Sequence, residues 1–306
     1  MTSESLEQWT VGEIVVTKMI EIEAMSHVGG MVGSALEGAS LEEALAIPWL
    51  KPKWMDESDR IGGGVHSFLI ETAGLRIVVD TGIGNDKPRV TPYFDNLQTD
   101  FLKRMELAGW PADSVSTVIC THLHVDHVGW NTTLTDGEWE PTFANAEHYF
   151  VGAEFEHWKH YADDPEAPLA YRTQWARDMV DGAAVFDDSV RPVAEAGLVR
   201  FVEPGVHIAP GIRLAPSPGH TPGHVSIEIE SEGEQAVITG DMMHSVLQIA
   251  RPDWSSVLDA DPKQSRRTRE ELISRWADTS TLVLGTHFGA PTGGYVVRDG
   301  DSFRLL

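Results

Sequence analysis

The sequence carries three histidines and one aspartate within six residues, at His122, His124, Asp126 and His127. The cluster directly follows an apolar run, 115–120, that is typical of a buried strand. Side chains two residues apart on extended backbone point to the same side, so His122 and His124 are expected to face one space. The spacing of Asp126 and His127 suits a turn that opens a helix and returns both side chains to that space. Imidazole nitrogens and a carboxylate suit Zn²⁺ and similar ions, so the cluster predicts a metal site.

Further ligand-type residues occur in the second half of the chain, each shortly after an apolar run that predicts a strand. Polar side chains at strand ends, on backbone that a sheet holds rigid, are typical of catalytic sites. Together with the cluster after 115–120, this placement occurs at four separate junctions, which would not be expected of incidental surface residues. These residues are His220 and His224 after 212–215, Asp241 after 236–238, and His287 after 282–284.

Apolar runs that predict strands occur in both halves of the chain, with amphipathic helical patterns between and outside them. This arrangement predicts an α/β fold in which two sheets pack together under helices. Residues 12–60 are instead predicted to be irregular, apart from an acidic helical stretch at Leu41 to Ala46. The predicted strands are 65–71, 75–79, 115–120, 212–215, 225–229, 236–239, 282–284 and 295–297, and the predicted helices are 100–108, 153–161, 169–179 and 262–276.

Residues 1–61 are predicted to form an extension or flap packed on a domain made of residues 62–306. Two interpretations of the large apolar residues in this extension are open. They pack on the rest of the chain or on a second copy in a homodimer, or they wall a pocket for an uncharged substrate. The residues concerned are Met19, Ile20, Met25, Met31, Trp49 and Trp54.

The chain has 306 residues with 23 basic and 47 acidic side chains, a formal charge of −24. Such a surface repels phosphodiester backbones, which proteins usually bind through Lys and Arg patches, so nucleic acid is not the expected partner. No apolar run approaches the roughly 18–20 residues that span a bilayer, and the first residues carry acids where a secretory signal carries bases. A single cysteine, Cys120, excludes an intramolecular disulfide framework and fits a reducing compartment. The expectation is a cytoplasmic protein that acts on a small molecule, without nucleic acid or a membrane as partner.

The order of these motifs resembles the metallo-β-lactamase superfamily. The matching features are the His-x-His-x-Asp-His cluster at 122–127, the Gly-His-Thr-Pro-Gly-His loop at 219–224, the Gly-Asp pair at 240–241, His287, and the early Asp-Thr-Gly at 80–82. The resemblance covers about residues 62–306. It implies the fold of that family, a four-layer αββα sandwich with the site at one edge of the two sheets.

The resemblance also implies a site for two divalent metal ions, with zinc expected first and iron, manganese or cobalt as alternatives. The catalytic candidates are Asp126, which could accept or relay a proton besides holding a metal, and Asp241, which would bridge the two ions. The implied roles are His122, His124 and His220 on one ion, Asp126, His127 and His287 on the second, Asp241 bridging both, and Asp80 and His224 orienting ligand imidazoles through hydrogen bonds.

Within the superfamily, residues 241–245 and the C-terminal third look most similar to the methyl parathion hydrolase and quorum-quenching lactonase branches. Asp241 stands where β-lactamases with a cysteine ligand carry that cysteine, which argues against antibiotic hydrolysis. The implied function is a hydrolase that uses a metal-bound hydroxide on a small neutral lactone, carboxylic ester or organophosphate triester. The alternative is a mononuclear iron oxygenase of the persulfide-dioxygenase type on the same fold, whose site needs fewer ligands.

The remaining histidines and the cysteine have less specific settings. Cys120 lies on an apolar run and is interpreted as a packing residue rather than a nucleophile. His66 is interpreted as a structural histidine, with a place in the pocket as the alternative. For His244, three residues past Asp241, both a substrate contact and a structural role stay open. Three others, His148, His157 and His160, are interpreted as surface residues on or near a helix.

Overall fold

The computed structural model describes residues 6–164, 167 and 170–306. Contacts within the chain divide it into two compact units. The first consists of the described parts of Met1–Glu21, Val65–Leu169 and Gln174–Glu203. The second consists of Ile22–Gly64, Ala170–Thr173 and Pro204–Leu306.

The strands of the described residues are numbered in chain order. They are β1 (Gln8–Val11), β2 (Ile14–His27), β3 (Leu36–Glu37), β4 (Arg60–Thr72), β5 (Leu75–Val79), β6 (Thr117–Ile119), β7 (Thr132–Thr135), β8 (Glu138–Pro141), β9 (Glu147–Val151), β10 (Val199–Val202), β11 (His207–Ala209), β12 (Ile212–Pro216), β13 (Val225–Ser231), β14 (Glu234–Ile238), β15 (Ser255–Ser256), β16 (Thr281–Leu284), β17 (Gly293–Asp299) and β18 (Ser302–Leu305).

The helices are numbered in the same way. They are α1 (Val28–Ser34), α2 (Leu41–Leu45), α3 (Phe101–Leu107), α4 (Gly152–Asp163), α5 (Gln174–Val180), α6 (Gly182–Val185), α7 (Arg191–Glu195), α8 (Leu247–Ala250) and α9 (Pro262–Trp276), with a π-helical turn at Phe186–Val190 and 3₁₀ turns at Ala112–Ser114, Gly129–Asn131 and Gly240–Met242. Within the described part of the chain, every helix is too short or too polar to traverse a bilayer.

The sheet of the first unit has the strand order β1-β2-β4-β5-β6-β9-β10. The last residues of β2 and the first residues of β4 belong to the second unit. Strands β5, β6, β9 and β10 run parallel to one another, whereas β4 pairs with β5 in the antiparallel sense. The segment 65–70 of β4 is buried throughout, as expected of an inner strand covered on both faces. The carboxyl ends of β5, β6 and β9 therefore lie at one edge of this sheet.

The sheet of the second unit has the order β11-β12-β13-β14-β16-β17-β18. Strands β14 and β16 are parallel, and β13 is antiparallel to β14. The end of β14, the end of β16 and the start of β13 consequently share one edge. Helix α9 begins where Asp261 caps the backbone N–H groups of Lys263 and Gln264, and Pro262 occupies its first turn.

The apolar residues of 28–61 contribute to the core of the second unit. Val28, Leu36, Leu50 and Trp54 are buried there, in one cluster that also contains Met242 and Met243. Met25 remains exposed, with 49% of its surface accessible. Ordinary packing therefore accounts for most of this segment. The division of the chain at residue 61, and a homodimer contact through the extension, stay predictions.

Most predicted elements of the second half occur as expected, including the helix at 262–276. The prediction that residues 12–60 are irregular is wrong for Val28–Ser34, which forms α1, and for Ile14–His27, which forms the strand β2. This strand pairs with β1, and its first half is largely buried, so its apolar residues belong to the sheet. The predicted helix at 169–179 begins at Leu169, which lies outside the described residues; the structure has α5 from Gln174.

Candidate metal centre

The first unit brings four of the predicted ligands to one sheet edge. Asp80 follows the last residue of β5, and the segment containing His122 follows the end of the neighbouring parallel strand β6. The rings of His122 and His124 lie 4.5 Å apart between centroids, and those of His122 and His127 lie 4.0 Å apart. Asp126 Oδ1 is 3.5 Å from His127 Nε2. The three imidazoles are buried, while 18% of the Asp126 side chain is accessible, so Asp126 is the member of this group open to solvent.

Asp80 supports the histidine cluster through contacts with His127 and Thr121. Its Oδ2 atom is 2.9 Å from Nδ1 of His127, and its Oδ1 accepts a 2.7 Å hydrogen bond from the backbone N–H of Thr121. The Thr121 hydroxyl lies 3.1 Å from Nδ1 of His122. Since Nδ1 of both rings is engaged, Nε2 is the atom of each ring that could coordinate a metal ion.

Glu154 on α4 supports the same segment, and the sequence patterns did not indicate it. The Glu154 carboxylate is buried and accepts hydrogen bonds from the backbone N–H of Leu123, at 3.2 Å, and from Nε1 of Trp158, at 2.7 Å. The Trp158 ring meets the His124 ring edge-on, with centroids 5.2 Å apart. Helix α4 thus supports the backbone of Leu123, which lies between His122 and His124, and it also contacts the His124 ring.

The second unit gathers its candidate ligands around the carboxylate of Asp241. The Nε2 atom of His287 is 3.1 Å from Asp241 Oδ1, and the Nε2 atoms of His244 and His220 lie 3.1 Å and 3.6 Å from Oδ2. Asp241 and His287 follow the parallel strands β14 and β16, and His220 lies in the loop before β13, so the shared strand edge brings them together. One carboxylate facing three imidazole nitrogens is a donor set that fits a divalent cation.

Two of these rings are held through their other nitrogen. His220 Nδ1 is 3.1 Å from the carboxylate of Asp259, and His287 Nδ1 is 2.7 Å from the carbonyl oxygen of Gly64. Burial raises the pKa of Asp259, which also accepts a hydrogen bond from the backbone N–H of Ser256. A Cβ on Gly64 would lie only 2.2 Å from the carbonyl oxygen of Ile22, so this close approach requires glycine.

His224 holds the backbone of Asp241 by a hydrogen bond. Its Nε2 accepts a 2.7 Å hydrogen bond from the backbone N–H of Asp241, and its Nδ1 lies 2.9 Å from the carbonyl oxygen of Ser217. Because Nε2 accepts, Nδ1 carries the proton and donates to that carbonyl. A Cβ on Gly240 would be 2.5 Å from His224 Nε2, so the glycine lets the ring reach the Asp241 backbone.

His244 lies beside the Asp241 carboxylate and is partly exposed. Its ring stacks on that of His287, with centroids 5.7 Å apart and planes inclined by 3°. Its backbone N–H donates to Gln248 at 2.7 Å, which fixes the residue at the start of the following turn. The sequence left its role open; the structure places it among the candidate ligands of the second unit.

Residues 60–287 match the model of the Metallo-beta-lactamase superfamily. The chain belongs to this superfamily. Its mixed α/β content and two large sheets confirm the predicted fold class, which is the metallo-β-lactamase fold.

Relatives within the superfamily include lactonases. The N-acyl homoserine lactonase AiiA of Bacillus thuringiensis subsp. kurstaki is 25% identical over 191 residues, which cover 57% of this chain and 61% of AiiA. The match therefore spans about three fifths of the length of that curated relative. Among solved structures, hydrolase AbOPH has a TM-score of 0.78 at 22% identity, covering 98% of this chain and 96% of its own. AidC, described as a dizinc quorum-quenching lactonase, has a TM-score of 0.77 at 20% identity with the same coverage. These two likenesses show the fold.

Cys120 is a packing residue in this metallo-β-lactamase fold, as predicted. Its side chain is buried, 3.8 Å from the carbonyl oxygen of His127 and 3.9 Å from the side-chain oxygen of Asn131. Burial raises the pKa of the Cys120 thiol well above its ordinary value. A buried thiol that resists ionisation is a poor nucleophile. His66 is also buried, edge-on to Phe68, as expected of a structural histidine.

The interpretation of His148 as a surface residue is wrong. His148 is fully buried because it lies on β9, an inner strand of the first sheet, rather than on a helix. Burial lowers its pKa to about 4. His157 is half-buried, and only His160 among these three is exposed.

Proposed function

We propose that this protein is a dinuclear metal-dependent hydrolase that cleaves a small uncharged lactone or ester. The observation that carries the proposal is the surroundings of Asp241. Its carboxylate lies within 3.6 Å of Nε2 atoms from His220, His244 and His287. Two of these rings are held by their other nitrogen, against Asp259 and Gly64. Imidazoles fixed in this way are typical of protein metal ligands.

The proposed ligand assignment follows the order of the superfamily motifs. Nitrogen and oxygen donors without a thiolate suit zinc. The description of AidC as a dizinc lactonase supports two zinc ions here as well. We assign His122, His124 and His220 to one ion, Asp126, His127 and His287 to the second, and Asp241 to both. His244, whose Nε2 atom is 3.1 Å from Asp241 Oδ2, is assigned to neither ion and is the candidate for a substrate contact.

Two bound ions would lower the pKa of a water molecule and polarise the carbonyl or phosphoryl oxygen of the substrate. Asp126, the partly exposed carboxylate, would take the proton of that water and pass it to the departing alcohol. The new bond joins the water oxygen to the carbonyl carbon or phosphorus, and the bond to the leaving oxygen breaks. Asp80 keeps the imidazole of His127 in place through its 2.9 Å contact with Nδ1.

An uncharged substrate is favoured by the net charge of the chain. The formal charge of −24 lowers the encounter rate with polyanions such as RNA, whereas a neutral ester is insensitive to it. The similarity to N-acyl homoserine lactonases such as AiiA supports lactones as the first candidates, ahead of aryl esters and phosphotriesters.

The test combines metal analysis with a substrate panel. Protein purified without chelator is expected to contain two equivalents of zinc and to hydrolyse an uncharged lactone far faster than single-stranded RNA at any salt concentration. A protein that holds two zinc ions and hydrolyses no lactone, aryl ester or phosphotriester would refute the proposed activity. One tightly bound iron without a second ion would favour the oxygenase alternative.

A further inference from the structure

Glu21, on β2, is a buried carboxylate outside the group of candidate ligands. Its Oε2 accepts a 2.6 Å hydrogen bond from the backbone N–H of Ile83. Its Oε1 accepts from the backbone N–H of Gly84 at 3.2 Å and from Nε1 of Trp130 at 2.6 Å. A buried carboxylate is costly unless hydrogen bonds satisfy it, and here it joins two distant segments of the chain.

Each of the two segments carries a residue of the candidate centre. Ile83 lies three residues after Asp80, and Trp130 lies three residues after His127. The two residues of the centre meet directly, because Asp80 Oδ2 is 2.9 Å from His127 Nδ1. Glu21 therefore binds both backbone segments, the one after Asp80 and the one after His127. These two segments bring the Asp80 carboxylate and the His127 imidazole together.

The two segments also bond to each other along their backbones. The N–H of Thr81 donates to the carbonyl of His127 at 2.7 Å. In the same way, the N–H of Gly129 donates to the carbonyl of Gly82, also at 2.7 Å. This short ladder fixes the register of Asp80 relative to His127.

The two segments and the Glu21 side chain are closely packed at two glycines. A Cβ on Gly129 would lie 1.8 Å from the carbonyl oxygen of Ile83. A Cβ on Gly82, where φ is +63°, would lie 2.2 Å from Oε2 of Glu21. Glycine at these two positions thus lets the two segments and the Glu21 carboxylate approach one another this closely.

We propose that Glu21 is a positioning residue of the metal centre, which locks the Asp80 segment to the His127 segment and thereby orients the His127 imidazole. The inference rests on the proposed function, since it assigns Glu21 a role in metal affinity. Removal of residues that orient metal ligands typically weakens metal binding about 10–100-fold. The same loss is expected when Glu21 loses its acceptor character.

The test uses Glu21→Gln in the full chain. The glutamine keeps the shape of the side chain, but its amide nitrogen donates and cannot accept. Either the N–H of Ile83, or those of Gly84 and Trp130, then lose their acceptor. Zinc affinity is measured for both ions by chelator competition, the absorption bands of the cobalt-substituted protein report ligand geometry, and thermal unfolding of the metal-free protein reports stability. Glu138→Gln, at an exposed glutamate on β8, is the matched control.

We expect Glu21→Gln to bind one of the two zinc ions at least about tenfold more weakly, with altered cobalt bands, while the control matches the wild type. A folded Glu21→Gln protein with wild-type zinc affinities and cobalt bands would overturn the inference, even if its metal-free form melts earlier.

Trp130→Phe decides the matter if Glu21→Gln does not fold. It removes one donor to Glu21 and keeps the ring that stacks on Phe101, 5.8 Å away. Weaker zinc binding then supports the inference, and unchanged binding overturns it. A wild-type protein without two zinc ions would refute the proposed function itself and, with it, this inference.

Discussion

The buried histidine of β9 gives the chain a stability that depends on pH in a calculable way. Burial lowers the pKa of His148 from its ordinary 6.5 to about 4, because the charged imidazolium loses its hydration in the sheet. The unfolded chain takes up a proton near pH 6.5, whereas the folded chain does so only near pH 4. Stability linked to His148 is therefore complete above pH 6.5 and is lost as pH falls from 6.5 toward 4. The difference between the two pKa values corresponds to about 3 kcal/mol, at roughly 1.4 kcal/mol per tenfold change in proton affinity.

The variant His148→Leu removes this ionisation and replaces the imidazole with an apolar side chain of similar size. Urea unfolding of metal-free protein, measured at several pH values between 8 and 4, is expected to show a shallower loss of stability for the variant. The difference between the unfolding free energies of the two proteins, taken relative to its value at pH 8, should approach about 3 kcal/mol at pH 4. His160→Leu, at an exposed position on α4, is the control and should leave the slope unchanged. Parallel stability curves for wild type and His148→Leu would refute the reasoning.

Three further outcomes concern the candidate centre. Asp241→Ala should abolish hydrolysis and weaken both metals in a zinc titration, because it removes the carboxylate that screens the two cations from each other; retention of two tightly bound zinc ions would contradict its bridging role. Cys120→Ala should keep most of the activity in a steady-state assay, since the thiol is buried and packs; a folded, fully metallated and inactive variant would point to a cysteine nucleophile instead. Asp259→Asn should weaken one zinc ion by about 10–100-fold in chelator competition, because the amide holds Nδ1 of His220 less firmly. An unchanged affinity would show that this contact is dispensable.

The candidate ligands could be predicted from the sequence because each follows a strand, and a strand with an apolar run can be recognised from neighbouring residues alone. His122 and His287 are examples, since each stands within a few residues of an apolar run that ends at a sheet edge. Parallel pairing of neighbouring strands then brings such ends together without further information. The family match covers residues 60–287, the range in which these motifs lie.

Residues that act across long sequence distances were not visible in the same way. Asp259 lies 39 residues from His220, and Glu21 lies 62 residues from Ile83, so no local spacing links them. The β2 strand was interpreted as irregular because its partners β1 and β4 only become apparent in the sheet. Burial of His148 likewise follows from the inner position of β9, which the short run 147–151 does not disclose.

The central proposal is that two metal ions share the carboxylate of Asp241. Anomalous X-ray diffraction at the zinc edge, on crystals grown without chelator, tests it most directly. Two peaks roughly 3.5–4 Å apart are expected, one beside Nε2 of His220 and the other beside Nε2 of His287, with the Asp241 carboxylate contacting both. A single peak, or peaks that do not contact Asp241, would contradict the claim.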